Sequence, residues 1–265
     1  MVRLSYDAYL RHLQAESSRF REVLADCDLD APVPSCPEWT AADLLWHLGG
    51  GEVQNFWAWI VAHRPAGPEG YPEPSRPDSA AGLFDAFDSA TAALTAALGS
   101  ADPADHAWTW GTEQTVGFIA RRQAHEALIH RVDAELAAGT SSDLDPTLAA
   151  DGVEECLAVM YGGCPPWGTF TPGDGLLRFD IADAGESLCV RLGRFTGTDP
   201  DGTTHDEDDL NVVDEPGRDP DVVVTGPAGP MDAWLWHRGD DAAITVAGDR
   251  AVYDRFAALV TTPIS

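Results

Sequence analysis

Glu126 and His130 stand four residues apart in Arg121-Arg122-Gln123-Ala124-His125-Glu126-Ala127-Leu128-Ile129-His130-Arg131-Val132-Asp133-Ala134-Glu135, a stretch free of Gly and Pro. Its Ala, Leu, Glu and Arg content predicts a helix, which puts the carboxylate and the imidazole one turn apart on one face. Two such groups can grip one divalent metal ion, but need a third ligand from elsewhere. His125 is off that face, about 140° around the helix from His130. The same spacing excludes the protease pattern His-Glu-x-x-His, whose histidines must be four apart. Asp133, one turn beyond His130, reads first as a surface carboxylate and second as a group that orients the His130 ring. Arg122 is a candidate contact for an anionic substrate, with no role that its position alone assigns.

The remaining histidines are His12, His47, His63, His106, His205 and His237. His12, His63, His106 and His205 fall in charged, solvated or loop contexts and read as surface residues. His47 follows Asp43 by one turn on a buried-looking helix face and precedes Gly49-Gly50-Gly51. A histidine there is more often a core or capping residue than a ligand. The three glycines imply close packing or room left for a ligand.

These residues need elements to position them. Apolar spacing predicts helices over about 5–26, 41–63 (interrupted by the glycines) and 79–98, composition predicts one over 116–138, and four helices of that length pack as a four-helix bundle. Thr40 is the expected N-cap of the second helix, with Asp43 its acidic partner. Gly99 and Gly139 are expected to close the third and fourth. Pro-rich 28–37, and the segments 64–78 and 100–113, read as connectors. Beyond residue 140 a helix at about 145–161 precedes strands at 176–182, 187–192 and 221–225. A helix at 227–237, a strand at 243–246 and a final helix at 249–260 follow. The chain is thus expected to be α + (α+β): a bundle over 1–144 and a smaller α+β domain over 145–265. The stretch 196–220, with nine acidic residues, reads as a solvated loop without a calcium-binding pattern.

Among 265 residues, 44 are acidic and 16 basic, a formal charge of −28 that argues against a nucleic-acid partner. No run is apolar enough to cross a membrane, and no signal peptide opens the chain, so a cytoplasmic protein is expected. Five scattered cysteines (Cys27, Cys36, Cys156, Cys164, Cys189) without Cys-x-x-Cys argue for reduced thiols.

Pro34-Ser35-Cys36-Pro37-Glu38-Trp39-Thr40-Ala41-Ala42-Asp43-Leu44-Leu45-Trp46-His47-Leu48-Gly49-Gly50 resembles the N-terminal signature of the mycothiol-dependent maleylpyruvate isomerase family. The stretch from Arg122 through Ala124-His125-Glu126 and His130-Arg131 to Asp133-Ala134-Glu135 resembles its second motif. The resemblance implies a DinB-like bundle in which His47, Glu126 and His130 bind zinc, and a sterol-carrier-protein-like C-terminal domain. There Trp234-Leu235-Trp236-His237-Arg238-Gly239-Asp240 would supply a catalytic Arg238, with His237 where glycine is common. Two imidazoles and a carboxylate also suit other divalent transition metals. Such a site with an open position would activate mycothiol, a low-molecular-weight thiol, for attack on a small electrophile. If the adduct rotates and expels the thiol the outcome is cis–trans isomerisation; if another group leaves it is S-transfer, and the ligands do not choose between them. The alternative is a non-catalytic DinB-like metal- or ligand-binding protein. Monomer and homodimer are both compatible with the sequence.

Overall fold

The computed structural model describes residues 3–214 and 216–261. Residue contacts divide the chain between Leu4–Asp143 and a second unit that begins at Leu144.

In the first unit, α1 (Tyr6–Ala25) starts where the Ser5 hydroxyl accepts the Ala8 N–H, and buries Tyr9, Leu13, Phe20, Val23 and Leu24. The Pro-rich connector that follows contains a small hairpin, β1 (Pro32–Val33) against β2 (Cys36–Thr40). Thr40 then caps α2 (Ala41–Trp46) through a capping box completed by the Asp43 carboxylate. The expected interrupted helix over 41–63 is resolved into α2, a π turn over His47–Gly51, and α3 (Gln54–His63). α4 (Ala80–Ser100) continues one residue past Gly99, the expected stop, because the chain turns extended only at Ala101, just before Asp102-Pro103. α5 (Val116–Ala137) begins at the Thr115 cap.

α5 is the central helix. It is buried on almost every face, so its sequence carries little amphipathic signature. Charged groups taken into that interior must find partners. Arg131 donates to Glu16 at 2.8 Å and to Glu135 at 3.0 Å, and Glu135 also accepts from the Ser142 backbone and hydroxyl.

The second unit begins with α6 (Pro146–Glu155), started by Asp145 and a proline in its first turn, and continued by a π turn over Cys156–Tyr161. Its sheet contains β3 (Gly168–Ile181), β4 (Glu186–Thr198), β5 (Thr204–Val213), β6 (Val222–Gly226) and β7 (Thr245–Gly248), in the spatial order β5-β4-β3-β6-β7. β3 and β6 run parallel; the other neighbours are antiparallel. α7 (Ala228–Leu235) and α8 (Arg250–Leu259) complete the unit. Together the helices and mixed sheet give the α + (α+β) class expected.

The expected acidic loop over 196–220 is a correction. β4 and β5 extend into it as a long hairpin, so His205 lies on a strand. Glu215 lies outside the described residues. Pairing needs backbone hydrogen bonds, and an edge strand needs no second apolar face. β5 tolerates its acids because Arg194 on β4 reaches across to Asp206 at 2.7 Å and Asp208 at 3.0 Å. The carboxylates also leave the sheet edge poorly suited to pairing with another chain.

Candidate metal centre

His47, Glu126 and His130 are brought together inside the first unit, with one potential ligand atom from each lying within 4.8 Å of the others. α5 supplies Glu126 and His130 from one face, while His47 opens the π turn that follows α2. Glu126 Oε1 is 3.1 Å from His130 Nε2 and 3.9 Å from His47 Nε2. The two imidazole rings meet edge-on, with centroids 5.0 Å apart.

Each imidazole is oriented by a carboxylate behind it. His130 Nδ1 lies 2.9 Å from Asp133 Oδ2, and Asp133 in turn accepts from the Ser35 hydroxyl of the β1–β2 hairpin. His47 Nδ1 lies 2.7 Å from Glu52 Oε2. With both Nδ1 atoms so engaged, both Nε2 atoms face Glu126. Arg122 donates to Glu126 Oε2 at 2.7 Å, which leaves Oε1 as the carboxylate's inward atom. His47 Nε2 is buried and has no hydrogen-bond partner. A buried acceptor left alone is costly, so this donor set fits a divalent cation better than a purely structural polar cluster.

The electrostatics keep Glu126 ionised, as a ligand carboxylate must be, while a cation at His130 has to displace a proton. Burial pushes the Glu126 carboxyl up, but the Arg122 guanidinium and the two imidazoles outweigh it and hold the group well below the ordinary carboxylate range. Burial likewise pulls His130 down. Its hydrogen bonds with Asp133 and Glu126 outweigh that and raise it to about 9. Both directions favour the ionised carboxylate and the protonated imidazole in the metal-free protein.

The other sequence expectations fall differently. Asp133 is fully buried, correcting its first reading as a surface carboxylate: the same one-turn spacing that placed Glu126 beside His130 turns Asp133 onto its other ring nitrogen. His125 is buried elsewhere on α5, edge-on to Tyr9, and takes no part in the cluster. Arg122 faces Glu126. Glu52 and Ser35 were not legible as partners. Five residues on an ordinary helix would turn Glu52 away from His47, and Ser35 reaches Asp133 across the fold. The glycine run after His47 was the available signal for Glu52.

In the second unit, the Arg238 guanidinium is buried, donates to the Trp236 carbonyl at 2.7 Å and stacks over the Trp236 ring at 6.0 Å. His237, at the position where the family resemblance expects glycine, has φ of +59°. That is the left-handed conformation glycine adopts most easily. The five cysteines are free thiols.

Comparison with known proteins adds family evidence to this geometry. Residues 10–135 match the model of the mycothiol maleylpyruvate isomerase N-terminal domain, and residues 147–255 match that family's C-terminal domain. Two uncharacterized proteins of Mycobacterium tuberculosis, from strains CDC 1551 / Oshkosh and H37Rv, are each 31% identical over 158 residues, spanning 58% of this chain and 80% of theirs. Among solved structures, the mycothiol-dependent maleylpyruvate isomerase aligns with a TM-score of 0.57 at 17% identity. A mutant of that enzyme aligns at 0.59 and 16%. Both cover 93% of this chain and 95% of theirs, a likeness of fold.

Proposed function

The chain belongs to the mycothiol-dependent maleylpyruvate isomerase family, and on that premise we propose that it is a metal-dependent isomerase using mycothiol as its thiol co-substrate. The observation that carries the metal part is the convergence of His47, Glu126 and His130 on one point, with no hydrogen bond made by the buried His47 Nε2. These three residues would hold a divalent metal, zinc being the natural choice for the donor set, and its Lewis acidity would lower the pKa of a bound thiol enough to give thiolate at neutral pH.

The chain's own groups do the positioning. Glu52 and Asp133 engage each Nδ1, leaving each Nε2 to donate its lone pair. Arg122 occupies Glu126 Oε2, favouring a one-oxygen ligand and partly neutralising the site. The Trp39 indole lies against His47, with centroids 4.6 Å apart. Arg238, which donates to the Trp236 carbonyl, is proposed from the family resemblance to pair with a substrate carboxylate or developing enolate. In the reaction the thiol sulfur adds to an electrophilic carbon, the adduct rotates about the former double bond, and the sulfur is expelled with the bond restored. The family favours this isomerisation over S-transfer.

The test is a mycothiol-dependent isomerisation assay on maleylpyruvate with parallel metal analysis. Chelation should remove activity and zinc should restore it, and His47→Ala should lower kcat/KM by at least about a hundredfold. Full activity after chelation sinks the proposal. Stoichiometric metal without thiol-dependent turnover identifies a binding protein instead.

A further inference from the structure

We infer that Glu52 is a positioning residue for the metal ligand His47, and that the glycine-built π turn between them exists to bring it there. This rests on the metal reading of the site.

On an ordinary α-helix, residues five apart point about 140° away from each other, and a glutamate at position 52 could not reach the ring of His47. The π turn over His47–Gly51 changes that. The Glu52 backbone N–H closes a wide turn onto the His47 carbonyl, stacking residue 52 over residue 47. The Glu52 side chain then reaches back to His47 Nδ1 at 2.7 Å.

The sequence pins the turn in place. A Cβ at Gly49 would lie 2.7 Å from the backbone Cα of Phe87 on α4, so only glycine permits that approach. At Gly50 it would lie 2.5 Å from the Trp46 ring, and at Gly51 2.7 Å from the Trp46 indole nitrogen. The Trp46 indole therefore fills the space of both missing side chains, and the three glycines let the turn pack flat against α4.

The consequence is chemical. With Nδ1–H donated to Glu52, His47 is fixed in the tautomer whose Nε2 lone pair is free, and its ring is aimed at Glu126. His130 gets the same service from Asp133, but inside the core. Glu52 is 67% exposed, so the His47 arm is the one held by a replaceable surface group.

The experiment measures zinc affinity by competition with a chromophoric chelator, for wild type, Glu52→Ala and Glu52→Gln. Thermal melts of the metal-free proteins and the histidine ring N–H resonances of the zinc-loaded proteins are recorded alongside. Glu52→Ala should weaken zinc binding by about 10–100-fold and broaden or remove the His47 Nδ1–H signal, while the metal-free melt stays near wild type. Glu52→Gln keeps an acceptor and should recover part of the loss. Equal affinity in Glu52→Ala and wild type overturns the inference. So does a loss that Gln fails to recover and that a matching drop in the metal-free melt explains as misfolding. A wild type that binds no zinc overturns instead the metal reading on which the inference stands.

Discussion

His130 shows how much of the centre was legible residue by residue. Its four-residue spacing from Glu126 is read from any helical wheel, and the structure puts the two 3.1 Å apart. His47 entered only through family resemblance, because a lone histidine on an apolar face carries no spacing signal of its own. Asp133 was visible but misjudged, since burial on a helix enclosed on nearly all sides leaves no amphipathic pattern to reveal it. The Asp133–His130–Glu126 row has a measurable consequence without metal. Its hydrogen bonds raise His130 to about 9 against the pull of burial. A raised histidine contributes stability that is fully present below its unfolded value of about 6.5 and is lost as pH rises through the folded value. The metal-free protein should therefore lose up to a few kcal/mol between about pH 6.5 and 9, and Asp133→Asn should flatten that slope. Zinc needs the unprotonated ring, so its affinity should climb through the same window. Calorimetry of chelated protein checks the first part; a melting temperature that holds or rises across the window contradicts it.

At the scale of elements, three bundle helices were legible because capping and period coincide: Ser5, Thr40 and Ser79 each start one with a side-chain hydrogen bond, whereas α5, capped by Thr115, was legible only from its helix-forming composition. The π turns and β5 were not, since a widened turn has no period of its own and β5 spends its side chains on carboxylates. The end of α7 shows how a local departure can be absorbed. His237 takes the left-handed position after the helix, strained for any residue with a Cβ, while its Nε2 reaches the Val260 carbonyl at 2.7 Å. Strain and hydrogen bond are each worth about 1 kcal/mol and nearly offset. His237→Ala keeps the strain and loses the bond, so it should destabilise the protein by about 1 kcal/mol. His237→Gly loses both and should stay close to wild type. Urea unfolding of the two variants decides it: Ala matching or exceeding Gly would mean that backbone strain at position 237 costs nothing measurable.

For the whole molecule, charge is the property that composition made plain and that folding had to accommodate. All 16 basic residues are arginines, against 44 acids, so most carboxylates have no cation to pair with. The arginines are spent where geometry rewards a planar fork: Arg131 inside the bundle, Arg194 across β4 and β5, and Arg21 on Asp88 through two bonds. Exposed pairs of this kind contribute roughly 0–1 kcal/mol each and are weakened by salt. The unpaired carboxylates repel one another over distances comparable with the screening length, about 10 Å at 0.1 M salt. With a formal charge of −28 the second effect has more participants than the first. Added salt should therefore stabilise the fold on balance, raising the melting temperature by several degrees between low salt and about 1 M potassium chloride, where screening shortens to about 3 Å. The gain should be steepest at low ionic strength, where screening changes most. Arg194→Gln removes the cation facing the β5 acids and should steepen the dependence further, because Asp206 and Asp208 then join the unpaired set. A melting temperature that falls with salt would show that the arginine pairs, rather than the surplus of carboxylates, govern the stability of this chain.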